Sequence, residues 1–141
     1  MPLTIITQDI LTVNTDALVI SAKPNAEIGP GLDSDVYSLA GKEDLLNARS
    51  EIGTIKKGDA AITSGFSSDF KYILHTVVPT WYGGKKGEEA FLIRCYRQCL
   101  ALATKKEITS IAFPLLGTGF NYIPKETALS IATNTIESWL H

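Results

Sequence analysis

Apolar positions along the chain change their spacing several times, and each change marks an element. Ala17 to Ala22 (Ala-Leu-Val-Ile-Ser-Ala) is a nearly continuous apolar run bounded by Asp16 and by Lys23-Pro24-Asn25, the pattern of a strand covered on both faces. Leu3 to Thr7 is a short β-branched run, expected to form a first strand. Asp59 to Thr63 and Lys71 to Val77 are two more strand-like runs around the polar turn Ser64 to Asp69, and Ile111 to Leu116 is a further buried strand. Helical spacing takes over between these runs. Asp33 or Ser34 is expected to cap a helix through Val36, Tyr37, Leu39, Leu45 and Leu46. Glu88 to Lys105 carries an apolar stripe with Phe91, Cys95, Tyr96, Cys99, Leu100 and Leu102. After Pro124, Ala128, Ile131, Ala132, Thr135, Ile136, Trp139 and Leu140 recur at helical intervals. Strands alternating with helices predict an α/β fold with a mixed, mostly parallel central sheet between two helical layers.

Composition narrows the class. With 141 residues, 45% hydrophobic and 20% charged, the chain has the size and make-up of one soluble domain, without internal repeat, low-complexity tract or linker. Thirteen Lys and Arg against fifteen Asp and Glu give a net charge of −2, which lacks the positive surplus that drives binding to a phosphate backbone. Nucleic acid is therefore not expected as the main partner. No apolar run approaches the roughly 20 residues that span a bilayer, and Met1 to Thr4 do not read as a signal peptide, so a cytoplasmic location away from membranes is the expectation. Cys95 and Cys99 share one helical face and read as buried thiols rather than a Cys-x-x-Cys redox pair or a zinc site. His75, inside a strand, reads as a hydrogen-bonded core residue, and Lys85 to Glu89 as a solvated loop feeding an acidic first turn.

Ligands of such sheets bind at the carboxyl ends of the strands, where loops lead into helices. Two loops qualify, Lys23 to Asp33 and Gly117 to Tyr122. Both are Gly-rich, which lets backbone N–H groups approach an anion such as a diphosphate, although glycine also serves plain turns.

With both loops in place, the sequence resembles a macro domain, the family of ADP-ribose-binding modules and ADP-ribosyl hydrolases. The resemblance runs from Leu3 to about Trp139. It is carried by Gln8-Asp9-Ile10, Asp16-Ala17-Leu18-Val19, Gly29 to Gly41, His75-Thr76-Val77 with Pro79 and Trp81, and Ile111 to Gly119 (Ile-Ala-Phe-Pro-Leu-Leu-Gly-Thr-Gly). It implies that Asp9 accepts a hydrogen bond from the adenine amino group beside the Ile10 backbone. Gly29, Gly31 and Leu32 would fold over diphosphate and distal ribose, with Ser21 at the strand end. Gly117, Thr118, Gly119, Phe120, Asn121 and Tyr122 would close in from the other side, Thr118 adding a hydroxyl and Phe120 or Tyr122 packing on the distal ribose. The implied partner is ADP-ribose, free or protein-linked, with no metal and no cofactor.

Departures from the family pattern shape the functional expectation. Hydrolytic members typically read Asn-Ala-Ala-Asn where this chain has Ile20-Ser21-Ala22-Lys23, and Ile28 and Pro30 stand at usual glycine positions. Leu32-Asp33-Ser34 keeps the aspartate that is thought to orient water in hydrolases; here Asp33 is favoured as helix cap and ribose contact, with general base as the alternative role. Lys23 is expected to pair with phosphate, or with Asp33 or Asp35 in the free protein. Tyr37 and Tyr122 replace the His and Gly of many relatives. Macro domains commonly continue with one more strand and helix beyond the segment ending near Leu140. The leading expectation is an ADP-ribose-binding domain. The alternatives are an ADP-ribosyl or O-acetyl-ADP-ribose hydrolase using Asp33, and a degenerate domain that self-associates through an uncovered sheet edge.

Overall fold

The computed structural model describes residues 2–141, and Met1 lies outside the described residues. A 3-10 turn, Ile10–Thr12, is followed by β1 (Ala17–Ser21), α1 (Leu32–Ala40), α2 (Lys42–Ile52), β2 (Ala60–Ser64), β3 (Tyr72–Thr76), α3 (Glu88–Lys105), β4 (Ile111–Ala112) and α4 (Lys125–Leu140). The sheet order is β2-β3-β1-β4. β1 runs parallel to both β3 and β4, with Ala17 opposite Tyr72 and Ile111, while β2 and β3 are antiparallel. The sheet is thus mixed and mostly parallel.

The central strand shows why its sequence is apolar throughout. Ala17, Leu18, Val19 and Ile20 are all fully buried, and alternate residues serve opposite layers. Ala17 and Val19 join Leu74 in a core with Leu92, Cys95, Tyr96 and Cys99 of α3 and Ala128, Ile131 and Ile136 of α4. Leu18 and Ile20 join Ile73 in a second core with Val36, Tyr37 and Ala40 of α1 and Leu45 of α2. The result is three layers, α/β/α. Burial pushes the Cys95 thiol up to about 11 and raises that of Cys99 as well, so both act as core groups.

Four expectations need correction. Leu3 to Thr7 forms no strand, and its Ile5 and Ile6 face solvent; β-branching favours extended backbone, but a strand also needs a partner ladder. The run Ile111 to Leu116 is a strand only at Ile111–Ala112, because the chain leaves the ladder before Pro114, which has no N–H to donate. The helix expected from Asp33 to Leu46 is two helices, broken at Gly41 with φ 101°. Its cap is Gly31 rather than Asp33 or Ser34, since Asp33 turns inward for a different task. Among the described residues no helix is long and apolar enough to cross a membrane.

Candidate functional site

The loops that follow β1 and β4 border one cleft of about 680 Å³ at the carboxyl ends of these strands. Ser21, Lys23, Gly29, Gly31, Leu32 and Asp33 line it from one side, and Gly117, Thr118, Gly119, Phe120 and Asn121 from the other. Asp9, Ile10 and Tyr122 are not among the lining residues. Asp9 caps the 3-10 turn, its Oδ1 accepting from the Leu11 N–H at 3.1 Å, and Tyr122 points to solvent, 71% exposed.

Asp33 organises the first loop. Its carboxylate is buried, and Oδ2 accepts the Gly29 N–H at 2.7 Å, folding Gly29 to Gly31 back over the start of α1. A Cβ on Gly29 would lie 3.1 Å from that oxygen. The other oxygen, Oδ1, is buried without a hydrogen-bond partner among the described residues. Burial raises the Asp33 carboxyl to about 6, against the pull of the Gly29 amide, Arg49 and Lys23. It is mostly ionised at neutral pH but close to titrating.

Arg49 is the residue that the sequence pattern does not reveal. It lies just past Leu46, the last apolar position of the expected helix, in the polar stretch Asn47 to Glu51, yet it is 1% exposed. From α2 its guanidinium donates to the carbonyls of Lys23 (3.0 Å) and Pro24 (2.8 Å), and to that of Gly53. The Ile55 N–H adds a bond to the Pro24 carbonyl at 2.8 Å. The first loop therefore leaves β1 in a fixed direction. Lys23 pairs with Glu27 at 3.5 Å rather than with Asp33 or Asp35, a partially exposed i,i+4 contact that a stronger anion can displace.

The second loop is pinned from below. The Leu116 N–H donates to the buried Tyr96 hydroxyl at 3.1 Å; in the sequence Tyr96 reads only as part of an apolar stripe. Gly117 has φ 92°, and a Cβ there would meet Ile123 Cδ1 at 2.3 Å, so this position admits glycine alone. The Thr118 hydroxyl donates to the Leu115 carbonyl at 2.9 Å, and the Asn121 side-chain amide donates to the Val78 carbonyl at 3.1 Å. Both side chains thus shape the loop rather than standing free for a ligand. The backbone amides of Thr118, Gly119 and Phe120 donate to no protein group among the described residues, and neither do those of Leu32, Asp33 and Ser34 in the first turn of α1, where the first helical bond comes from Asp35. The loops meet at Gly31 and Phe120, whose ring lies 3.3 Å from where a Gly31 Cβ would be.

The third wall corrects the expectation of a plain solvated loop at Lys85 to Glu89. Glu88 is 2% exposed, and its carboxylate accepts the N–H groups of Tyr82 (2.9 Å), Gly84 (2.8 Å) and Lys86. Desolvation works against the charge, but the converging amides prevail and hold the carboxyl down at about 2. The 82–88 loop is thereby fixed at the cleft, and Thr80, Tyr82, Lys86 and Lys57 line its far end. His75 is a core group as expected: Thr63 Oγ1 lies 2.9 Å from its Nε2, and burial, then Arg49, lowers it to about 3. Among the described residues no group of three or more His, Cys, Asp or Glu is placed to hold a metal ion.

Comparison with known proteins agrees with this architecture. The Macro domain family model matches residues 19–132. A macro domain-containing protein of Methanosarcina mazei is 39% identical over 132 residues, covering 94% of this chain and 70% of its own length. The O-acetyl-ADP-ribose deacetylase of Enterobacter cloacae is 35% identical over 136 residues, covering 94% and 75%. The macrodomain of Oceanobacillus iheyensis with MES bound superposes with a TM-score of 0.88 at 34% identity, covering 94% of this chain and 74% of that one, and a mutant of it has been solved with ADPR. The chain belongs to the macro domain family.

Proposed function

We propose that this chain binds ADP-ribose, or a molecule or protein carrying it, in the cleft between the two Gly-rich loops. The observation that carries this reading is the pair of facing amide rows. Thr118 to Phe120 and, at the start of α1, Leu32 and Asp33 border one cleft, and their N–H groups have no protein acceptors among the described residues, which suits a diphosphate between them. Lys23 at the same rim adds a mobile positive charge. The solved macrodomain with ADPR is related at 34% identity, which favours the same ligand class. Isothermal titration with ADP-ribose, adenosine and GDP tests the reading: micromolar binding of ADP-ribose with little response to GDP is expected, and no heat at high protein concentration would refute it.

Asp33 supports a second, catalytic reading. Its raised carboxyl, unpartnered Oδ1 and place in the cleft lining suit a general base that takes a proton from water attacking the distal end of the ligand. A relative is named an O-acetyl-ADP-ribose deacetylase. Deacetylation by the wild type that vanishes in Asp33→Ala, while ADP-ribose binding persists, is the signature; equal turnover by both proteins would remove Asp33 from the chemistry.

A further inference from the structure

The cleft extends beyond the two Gly-rich loops. Along the sheet order β2-β3-β1-β4, those loops follow β1 and β4. The other end of the cleft lies over the carboxyl end of β3 and the start of β2, which the antiparallel register places together, Ala60 opposite Thr76. Two to three strand spacings, roughly 10–14 Å, separate that end from the amide row after β4.

Two lysines stand there, from separate segments. Lys57 is placed by the bonds of Ile55 N–H to the Pro24 carbonyl and Gly58 N–H to the Val77 carbonyl, both 2.8 Å, and its Nζ sits 4.5 Å from the centroid of the Phe91 ring. Lys86 is placed by its own N–H on Glu88, and its Nζ lies 5.4 Å from the Tyr82 ring centroid. Neither has a carboxylate within ion-pairing distance among the described residues. The carboxylate in the lining at this end, Glu88, is committed to three backbone amides. In a protein of net charge −2, this end of the cleft therefore carries two unpaired lysine cations against one carboxylate that is turned to the backbone, and the ammonium groups lie over aromatic faces instead of against acids.

We propose that the Lys57 and Lys86 end of the cleft is a docking strip for an acidic polypeptide segment that carries the ADP-ribose. This rests on the ADP-ribose reading of the cleft and names the kind of protein it takes. The two ammonium groups come from different segments, lie over different rings and share no partner, so each can take a carboxylate of its own. Successive carboxylates along an extended peptide match such a strip. With exposed charges at each contact, the gain is modest and salt-sensitive.

The test uses two peptides bearing ADP-ribose through a non-hydrolysable linkage, one with flanking Glu and one with Gln in the same positions. In low salt the Glu conjugate should bind about three- to tenfold more tightly. That ratio should shrink at 0.3 M salt, fall to about 1 in the Lys57→Gln/Lys86→Gln double variant and survive in Lys57→Arg/Lys86→Arg. Reading the ratio removes any uniform effect of the substitutions on the ADP-ribose moiety. Equal binding of the two conjugates by the wild type, or a ratio that persists in the Gln double variant, overturns the proposal. Titration with free ADP-ribose judges the cleft reading separately. Should it fail, NMR shifts at Trp81 and Tyr82 with millimolar unmodified Glu peptide still decide the strip. Shifts lost in the Gln double variant uphold it, and their absence in the wild type refutes it.

Discussion

Asp33 holds a buried negative charge against only one hydrogen bond, and that arrangement has a pH signature. Its carboxyl is raised from 3.8 to about 6, chiefly by desolvation, so the folded state binds a proton more tightly than the unfolded chain. Stability associated with this group is full below the unfolded value and declines as pH rises through about 6. A rise of that size corresponds to about 2–3 kcal/mol. Asparagine at this position keeps an oxygen for the Gly29 N–H and removes the charge. Asp33→Asn should therefore be more stable than wild type at pH 7.5 and should lose that advantage by about pH 4, which denaturant melts at the two pH values would read; parallel profiles would contradict it. Asp9 carries a prediction of another kind. Its Oδ1 caps the 3-10 turn, which leaves Oδ2 for an adenine amino group. Asp9→Ala should weaken adenosine and ADP-ribose alike, by about 1.5–3 kcal/mol, the scale of a charge-assisted hydrogen bond. Unchanged affinity in titration would place the adenine elsewhere.

Elements matter here through the side chains that tie one to the next. Arg49 connects α2 to the exit of β1 by donating to Lys23, Pro24 and Gly53 carbonyls, and no carboxylate pairs with it among the described residues. Arg49→Met keeps the apolar bulk but orphans the Lys23 and Gly53 carbonyls and leaves Pro24 with the Ile55 N–H alone, so a loss of about 2–4 kcal/mol is expected. Faster amide exchange across residues 23–33 should accompany it if the first loop is what Arg49 holds, and exchange confined to α2 would argue otherwise. This tie also shows what a sequence can and cannot reveal. Periodicity marks β1, β3, α3 and α4 because each buries a continuous or regularly spaced apolar face, and Gly29, Gly31 and Gly117 are visible because close approach or positive φ selects glycine there. Arg49, Tyr96 and Glu88 carry no such mark. Their roles arise from contacts between distant segments, and each sits in a stretch whose local pattern shows only a polar helix end, a core stripe or an acidic first turn. Leu3 to Thr7 misleads for the converse reason: extended propensity is present, but pairing depends on a neighbouring ladder. Asp33 stands out in the sequence as a key position, yet its burial reverses the expected direction, from capping α1 to holding Gly29.

The whole molecule presents one cleft whose three walls are each fixed from outside it: the first loop by Arg49 and Asp33, the second by Tyr96, the third by Glu88. Such anchoring means that a ligand finds its amide donors already placed and loses little free energy to ordering the protein. Binding energy then appears largely as added stability of the folded state. At a free ADP-ribose concentration one hundred times Kd, linkage adds about 2.7 kcal/mol, which for a chain of this size raises Tm by roughly 8 °C. GDP at the same concentration should shift Tm far less if Asp9 takes the adenine amino group, since guanine would offer that carboxylate an acceptor rather than a donor. The shift should grow with the logarithm of ligand concentration once that concentration exceeds Kd. A saturating ligand that releases heat yet leaves Tm unchanged would mean that it binds the unfolded chain as well as the folded one, and so does not read the cleft that the three anchors build.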